Sequence, residues 1–286
     1  MTCAIIVLYK ANEQMVSSLY ESLISQIDKL ILVKNDDTDA SFIQCFEKSC
    51  LIDLGKNYGI AYAQNCGIEE AVRIGADWIL FSDQDTVYPE NFVCEMLEIA
   101  SDEILGKIGA LTPIFYDEIK QQYSKIMVGK TKAIYPKKNK IYQITHAISS
   151  GTLVPVDVIK KCGGMKDDLF IDFVDYEWCW RVLEHGYKIY CFSGIEIHHQ
   201  LGDKLEKRFG MKIVSRSLFR FYYIIRNGYY LLTTDYLKGK DHVLFRLLMW
   251  KKIFEALVLN YFKKTARVTV RQAVRNGKNK ILKTYE

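Results

Sequence analysis

Short apolar runs alternate with longer amphipathic segments over the first 112 residues of the chain. The apolar runs read CAIIVLY, LILV, LIDL, WILF and IGALT, and the amphipathic segments between them cover residues 12–27, 38–48, 60–74 and 90–100. Runs of this length are typical of buried strands, and amphipathic segments are typical of surface helices. Strands joined by crossover helices pair in parallel. The pattern therefore predicts an α/β fold with a mostly parallel sheet that helices flank on both faces.

Residues 115–143 interrupt this alternation. They are polar, rich in Lys and Tyr and weakly patterned, which predicts a loop or an irregular β excursion. The small residues of ISSGTLVP (148–155) then predict a turn that leads into a strand. A helix is expected over 156–162, because two consecutive glycines follow it and glycine readily ends a helix.

The remainder of the chain is predicted to be mainly helical. One helix is expected from near Val174 to Gly186. Beyond Gly202, apolar and basic residues recur at helical spacing to the end, and ARVTV is the one segment there that suggests a strand. We therefore expect a domain over 1–203 and a basic, helical extension over 204–286.

The composition indicates a folded protein of a reducing compartment. Hydrophobic residues make up 49% of the 286 positions, which is enough for a large buried core. The eight cysteines are scattered without a CxxC pair, which favours buried thiols in the cytosol over a disulfide scaffold. The apolar run at the N-terminus is short and no long apolar run follows, so neither a signal peptide nor a membrane span is expected.

The charge is divided unevenly along the chain. Residues 204–286 carry 20 Lys and Arg against 5 Asp and Glu, a balance of +15, which leaves −10 for residues 1–203. A basic, aromatic-rich segment suits a polyanion, either an anionic membrane or a nucleic acid. A solvated helical face is the simpler alternative.

Two carboxylates follow an apolar run in WILFSDQDTV, at Asp83 and Asp85. Ligands gather at the carboxyl ends of parallel strands, and two anions so close together suggest a divalent cation, phosphate ester chemistry, or both. The simpler alternative is that Asp85 or Thr86 caps a helix that begins near Pro89.

A second group of acids comprises Asp172, Asp175 and Glu177. Asp175 falls in the first turn of the helix expected from Val174, where the helix dipole stabilises negative charge. We expect this carboxylate to stay ionised, as a general base must be before it accepts a proton. Capping of the helix explains one of these acids but not all three.

A histidine pair, His198 and His199, ends the strand-like run IEIHH. The chain has only five histidines, and a pair at the end of a strand suggests a ligand position. Together with Asp85, one of them would suit a Mn²⁺ or Mg²⁺ site.

In their order along the chain, these motifs resemble those of the family 2 glycosyltransferases of GT-A fold, and in particular the bacterial rhamnosyltransferase-like branch. The resemblance covers about residues 3–235 and rests on IIVLYK, LVKNDDTD, NYGIAYAQNCGI, SDQD, ISSGTLVP, FVDYEWCWR, HHQLGD and FYYIIRN. NYGIAYAQNCGI and the segment around HHQLGD are the most specific. The resemblance implies a nucleotide-sugar half over about 1–112 and an acceptor half over about 113–203.

The resemblance also implies a role for each residue that matches a family motif. Asp85 would bind a Mn²⁺ or Mg²⁺ ion at the donor phosphates, with Asp83 and either His198 or His199 beside it. Asp175 would deprotonate the acceptor hydroxyl. The implied donor-binding residues are Tyr9, Asn35, Asp36, Asn57, Gly59, Asn65 and Asp83. The implied acceptor-side residues are Ser150, Gly151, Asp172, Trp178 and Arg226.

The implied reaction is inverting transfer of a sugar, with L-rhamnose from dTDP-L-rhamnose as the favoured donor, to a saccharide that is typically lipid-linked. A UDP-sugar is the alternative donor. Two positions depart from the family pattern: Lys34 replaces an aspartate, which moves the base contact to Asn35 or Asp36, and Val174 replaces a glutamate. The basic extension would then attach the enzyme peripherally to the inner face of the plasma membrane or form a homodimer.

Two other functions fit parts of the sequence. ILFSDQDTV also matches the nucleophile motif of haloacid-dehalogenase phosphohydrolases, with Asp83 as nucleophile and Asp85 as acid/base. That motif belongs on a first strand, whereas here three strand-helix units precede it, and NYGIAYAQNCGI has no role in such an enzyme. A non-catalytic scaffold on a membrane is the other alternative. Nucleic-acid binding is not expected, since the aromatic residues of the extension follow helical spacing.

Overall fold

Strands and helices alternate through most of the chain in a computed structural model, which describes residues 1–117, 121–199, 205–208 and 211–282. The side chains of residues 117, 199, 205–208 and 211–213 lie outside that description. The strands are β1 Thr2–Leu8, β2 Lys29–Lys34, β3 Ser49–Asp53, β4 Trp78–Ser82, β5 Ile108–Asp117, β6 Gln122–Tyr123, β7 Ile126–Met127, β8 Ala133–Ile134, β9 Ile141–Ile144, β10 Thr152–Pro155, β11 Lys188–His199, β12 Leu205–Arg208 and β13 Met211–Val214. The helices are α1 Glu13–Leu23, α2 Ile60–Arg73, α3 Phe92–Ala100, α4 Val156–Cys162, α5 Val174–Glu184, α6 Leu218–Leu231, α7 Gly239–Leu259 and α8 Lys264–Lys278.

One large sheet organises the part of the chain that the structure describes. Its strand order is β3-β2-β1-β4-β10-β5-β11-β9, and β6 pairs with β5 at the side. The pairs among β1 to β4 are parallel, as the sequence predicts, and so is the pair of β5 with β11. β10 lies antiparallel between β4 and β5, so β5 does not continue the parallel series directly. The mixed α/β sheet with flanking helices confirms the predicted fold class.

Helices cover both faces of the sheet because successive side chains of a strand point to opposite faces. In β1, Cys3 and Ile5 pack into the core that α2, α4 and α5 cover. Ala4 and Ile6 pack into the opposite core, which α1 and α3 cover. A strand buried on both faces reads as a continuous apolar run, which is why CAIIVLY shows no alternation.

Several predicted elements take a different form. The segment 38–48 forms only a short 3₁₀ turn, Ser41–Cys45. By contrast, the described part of 121–144 forms the short strands β6 to β9, which agrees with the expected irregular β excursion. The hairpin β12–β13 was not expected from the sequence. ARVTV is helical within α8, because Ala266, Thr269 and Val270 recur at helical spacing on the buried side.

The C-terminal helices form a third core. α6 is buried almost all round and packs against α8 and α7. A Cβ on Gly277 of α8 would lie 2.2 Å from the carbonyl oxygen of Arg226, so glycine is required for this close approach. The predicted domain boundary at residues 203 and 204 lies outside the described residues, and both domains remain a prediction. Within the described ranges, no helix is both long and apolar enough to cross a membrane.

Candidate active site

One pocket brings together Asp83, Asp172 and Asp175, which are distant in the sequence. Its volume is about 560 Å³. Asp83 follows the carboxyl end of β4, Asp172 lies just before α5, and Asp175 lies in the first turn of α5. The pocket therefore joins the two acid groups that the sequence singles out separately.

The turn that follows β4 is held from two sides. The Asp83 amide donates to Ser150 Oγ at 3.3 Å, and Ser150 Oγ lies 2.7 Å from Thr86 Oγ1. On the other side, the Gln84 side chain accepts from the Tyr9 amide at 2.9 Å and donates to the Tyr9 carbonyl at 3.2 Å. Ser150 is buried and supports this turn, and its acceptor-side role stays a prediction.

Asp85 lies exposed on the same turn. It does not cap a helix, because α3 begins at Phe92 and Asn91 occupies the N-cap position. The structure therefore removes the capping explanation for the second carboxylate. The Tyr9 ring is also exposed, so its backbone rather than its ring supports the turn.

The oxygen ligands of Asp83 and Asp85 suit a hard divalent cation that takes its remaining ligands from phosphates and water. Among the residues that the structure describes, no three His, Cys, Asp or Glu side chains come together as a metal site. His198 is exposed near the end of β11, and its ring centroid lies 5.4 Å from that of Tyr116. The His199 side chain lies outside the described residues, so a metal contact by either histidine stays a prediction.

The segment that precedes α5 has a strained backbone. Phe170, Asp172 and Phe173 have φ values of 63°, 63° and 64°, a region that side-chain-bearing residues rarely adopt. Such strain persists only where surrounding contacts hold it, and it concentrates at functional sites. The segment places Asp172 on the pocket and sets the start of the helix that carries Asp175.

Two buried residues of α6 hold this strained segment. Arg226 donates to the carbonyl oxygens of Asp168 and Leu169 at 2.8 and 3.0 Å. Asn227 donates to the carbonyl oxygens of Leu169, Ile171 and Asp172 at 2.9, 2.9 and 2.7 Å. Arg226 is 0% exposed, and its guanidinium satisfies backbone carbonyls. Its acceptor-side role stays a prediction.

The segment also contacts the start of α2 through Gly59. Gly59 has a φ of 89°, and a Cβ there would lie 2.5 Å from the Phe170 ring. The Phe170 carbonyl accepts from the Ile60 amide at 2.8 Å, which satisfies a donor at the helix N-terminus. Gly59 therefore allows the strained segment before α5 to approach the predicted nucleotide-binding loop.

Asp175 has a pKa far from that of an ordinary aspartate. The pKa of its carboxyl is raised to about 7, mainly by burial and to a smaller extent by the neighbouring Asp172 carboxylate, against a hydrogen bond that the carboxyl accepts from the Tyr176 amide at 3.0 Å. The sequence predicts instead that the helix dipole keeps this group fully ionised. Desolvation outweighs the dipole, because the carboxyl lies between the pocket and the apolar core.

The surroundings of Asp175 explain this desolvation. The buried Trp178 borders the small crevice behind the carboxyl, and its indole NH donates to the Gly163 carbonyl at 3.1 Å. Trp178 is thus a core residue, and its acceptor-side role stays a prediction. The Tyr176 ring stacks on the ring of His146 at a centroid distance of 3.7 Å. Burial lowers the pKa of His146 to about 3, so this ring is neutral.

Three cations that the sequence analysis did not single out also line the pocket: Arg216, Arg220 and Lys252. Arg220 Nε lies 3.1 Å from Asp172 Oδ2. Lys252 Nζ lies 2.7 Å from Glu255 Oε2 within α7. The basic composition of the extension was the available signal, but only the packing of α6 and α7 shows which cations reach the pocket.

The predicted nucleotide-binding residues form a network at the ends of β2 and β3. Asn57 Oδ1 accepts from Asn35 Nδ2 at 3.3 Å and from the Gly59 amide at 2.8 Å. Asp36 accepts from the Lys10 amide and from both the amide and hydroxyl of Thr38. Burial alone would raise the pKa of Asp36, but these hydrogen bonds outweigh it and lower the pKa below its usual value.

Two further residues of the predicted site make close contacts within the protein. The Asn65 amide donates to the Met165 carbonyl at 2.8 Å and accepts from the Met165 amide at 2.7 Å, and it also donates to Asp167. It therefore fastens the loop after α4, and its contact with the donor stays a prediction. Gly151 has a φ of 69°, and a Cβ there would lie 2.5 Å from Ile197, so its role is in packing.

Comparisons with known proteins identify a family and several relatives. Residues 3–163 match Glycosyl transferase family 2. The chain is 33% identical to the dTDP-rhamnosyl transferase RfbF of Shigella flexneri over 261 residues, which cover 89% of this chain and 85% of that protein. It is 23% identical to the low-salt glycan biosynthesis hexosyltransferase Agl10 of Haloferax volcanii, over 84% of this chain and 78% of that protein.

Solved structures show the same fold at 12% identity. GalNAc-T7, crystallised with UDP, GalNAc and Mn²⁺, matches 87% of this chain with a TM-score of 0.57, and this chain spans 54% of its length. TarS 1-349 of S. aureus matches 98% of this chain and 91% of its own, with a TM-score of 0.52. The sequence relatives decide against the phosphohydrolase and scaffold alternatives. Taken with the acids assembled at the end of β4 and the start of α5, they show that the chain belongs to glycosyltransferase family 2 and is a glycosyltransferase of the rhamnosyltransferase-like branch.

Proposed function

We propose that this glycosyltransferase transfers L-rhamnose from dTDP-L-rhamnose to a saccharide acceptor, with inversion at the anomeric carbon and with the help of a divalent cation. One observation carries the proposal. Asp175, whose carboxyl has a pKa raised to about 7, lines the same pocket as Asp83 at the end of β4. The proposed base and the proposed site of the donor phosphates would thus border one cavity.

Asp175 acts as the general base. Its ionised carboxylate takes the proton of an acceptor hydroxyl while that oxygen bonds to the anomeric carbon. The bond from the anomeric carbon to the diphosphate breaks, and the electron pair leaves with the nucleoside diphosphate. A pKa near neutrality is suited to this role, because the carboxylate is both sufficiently populated and sufficiently basic.

Asp83 and Asp85 would hold a Mn²⁺ or Mg²⁺ ion. Such an ion supplies positive charge to the phosphate oxygens of the donor. The residues around the turn position the two carboxylates: Ser150 holds the Asp83 amide, and Gln84 fastens the turn to β1.

The choice of dTDP-L-rhamnose is supported by the 33% identity to a protein named as a dTDP-rhamnosyl transferase. The network of Asn35, Asp36 and Asn57 is the proposed place for the nucleoside, because buried amide and carboxylate groups near the strand ends can read a base and a ribose. A UDP-sugar remains the alternative donor within the same fold.

The proposed acceptor is a lipid-linked saccharide at the inner face of the plasma membrane, in the synthesis of a bacterial cell-surface polysaccharide. Support comes from the cations of the pocket wall, Arg216, Arg220 and Lys252, which suit an acceptor that carries phosphate. The balance of +15 over residues 204–286 suits an anionic surface.

A thermal-shift screen tests the donor and the ion together. The protein is heated with dTDP, UDP or GDP, each with and without Mn²⁺. We expect dTDP with Mn²⁺ to stabilise the protein most. Turnover of dTDP-L-rhamnose with NMR of the product then reports the anomeric configuration. Absence of a metal-dependent shift with all three nucleotides would contradict the proposal, and a larger shift with UDP would favour the alternative donor.

A further inference from the structure

α7 exposes an apolar face to solvent. Six of its apolar side chains are between 39% and 66% exposed. They are Val243, Leu244, Leu247, Leu248, Trp250 and Phe254. Four of them, at positions 243, 247, 250 and 254, follow one stripe along the helix, and Leu244 and Leu248 widen it. A contiguous patch of large apolar side chains on one helix marks an interaction surface.

The charges around this face are positive. Lys240, Arg246 and Lys251 are exposed on α7. The acids of α7 are turned to other partners: Asp241 bonds to the Thr131 hydroxyl, and the buried Glu255 pairs with Lys252 at 2.7 Å. The face therefore combines apolar contact with positive charge.

The neighbouring helix α8 adds a strongly basic surface. It contains five Lys and Arg and neither Asp nor Glu. The buried side of the helix carries Ala266, Thr269, Val270 and Ala273. All five cations are exposed, and they are Lys264, Arg267, Arg271, Arg275 and Lys278.

This combination distinguishes between possible partners. A second copy of the same face would bring like charges together, which opposes self-association. An anionic lipid surface satisfies both features, because apolar side chains enter the acyl boundary while Lys and Arg remain among the headgroups. We propose that α7 docks this face into the interface of an anionic bilayer, with the cations of α8 beside the headgroups.

The docking face is continuous with the active site. Leu248 and Lys252 of α7 also line the pocket that contains Asp175. Docking through α7 would thus hold the pocket mouth at the level of the headgroups, where the phosphate of a lipid-linked acceptor lies. This orientation rests on the proposed acceptor, whereas docking itself does not.

Vesicle flotation tests the docking. The full chain is mixed with vesicles of phosphatidylcholine alone or of phosphatidylcholine with phosphatidylglycerol. We expect flotation with the anionic vesicles and its loss as salt rises. L247E and W250E should each weaken binding by about tenfold or more, because a carboxylate would enter the acyl boundary. I104E is the matched control, since Ile104 is 88% exposed on the main domain.

Trp250 also provides a direct probe, because Trp178 and Trp180 are buried and Trp78 is half-buried. Lipids with brominated acyl chains should quench the tryptophan fluorescence of the wild-type protein and leave that of W250F unchanged. Unchanged flotation of L247E and W250E would overturn the proposal. So would concentration-dependent dimerisation in light scattering that these two substitutions abolish, because the face would then bind a second copy.

Two further measurements separate this proposal from the proposed function. L247E and W250E should retain the thermal shift with dTDP and the turnover of a water-soluble saccharide acceptor. If these variants lose flotation while they keep the thermal shift with dTDP and the turnover of the soluble acceptor, the result supports docking through α7. Wild-type protein that floats but does not turn over dTDP-L-rhamnose would support docking and contradict the proposed donor.

Discussion

The side-chain amide of Asn227 on α6 donates to the main-chain carbonyl of Asp172 at 2.7 Å. This contact links a helix of the C-terminal extension to the strained segment at the edge of the pocket. Asn227 is 0% exposed, as is its neighbour Arg226. The motif FYYIIRN therefore supports the structure of the candidate active site, although neither Arg226 nor Asn227 lines the pocket itself.

Replacing Asn227 by Ala should reduce catalysis more than it reduces donor binding. The carbonyls of Leu169, Ile171 and Asp172 would lose a buried partner, and the segment would relax from its positive φ values. We expect a loss of about 2–3 kcal/mol in the free energy of unfolding and a fall in kcat with an almost unchanged KM for the donor. Urea unfolding and steady-state kinetics below the transition measure the two effects.

Asn276→Ala is the matched control, because Asn276 also donates a hydrogen bond within the helical extension, to the Tyr222 hydroxyl at 2.8 Å. It should lose stability and keep kcat. Equal kcat values for Asn227→Ala and Asn276→Ala would indicate that Asn227 contributes to stability only.

Asp175→Asn should remove the general base. We expect kcat to fall by about 10² to 10⁴, while dTDP still stabilises the protein in thermal shift. Asp157→Asn is the control, because Asp157 also lies in the first turn of a helix, on exposed surface outside the pocket. Retention of full activity in Asp175→Asn would assign the base to another group.

The pH dependence of the wild-type enzyme should report the same carboxyl. Burial raises the pKa of Asp175 to about 7, so the fraction in the ionised, reactive form falls as the pH drops below that value. We expect kcat/KM to fall about tenfold for each pH unit below 7. A profile that stays flat down to about pH 5 would instead indicate an aspartate with an ordinary pKa.

Asp175→Asn should also stabilise the fold at neutral and alkaline pH. The folded-state pKa of Asp175 lies above its ordinary value of 3.8, so the carboxyl favours folding most below that value, and this contribution is lost as the pH rises to about 7. Asparagine does not ionise. Because the carboxyl borders the solvent of the pocket, we expect a gain of only about 1–2 kcal/mol at pH 8.

Urea unfolding at pH 8 and at pH 4 measures this gain. The advantage of Asp175→Asn should shrink towards zero at pH 4. An equal advantage at both values would point to packing rather than to ionisation as its cause.

Asp83→Ala and Asp85→Ala should each abolish metal-dependent binding of the nucleotide. We expect the additional thermal shift that Mn²⁺ confers on dTDP to vanish, and turnover to fall by at least about 100-fold. Glu98→Ala removes an exposed carboxylate of α3 and serves as the control. Metal-dependent stabilisation that survives both aspartate substitutions would place the ion elsewhere.

The sequence by itself determined the elements that depend on local patterns. Apolar runs and helical periodicity located β1 to β4 and the helices α1 to α3. The glycines after Cys162 and at position 186 marked the ends of α4 and α5 to within a residue or two, because glycine adopts the conformation that ends a helix. The order of the motifs identified the family, and positions at a strand end and a helix start singled out Asp83 and Asp175 as candidate site residues.

Tertiary structure alone decided which of these residues share a cavity and what each one does there. Asn65, Trp178 and Arg226 occupy motif positions, yet their polar groups are bonded to backbone or to neighbouring side chains. Lys252 reaches the pocket only because α7 packs beside it. The pKa of Asp175 depends on how much water the fold excludes from its carboxyl, and desolvation is a property of surrounding atoms that are distant in the sequence.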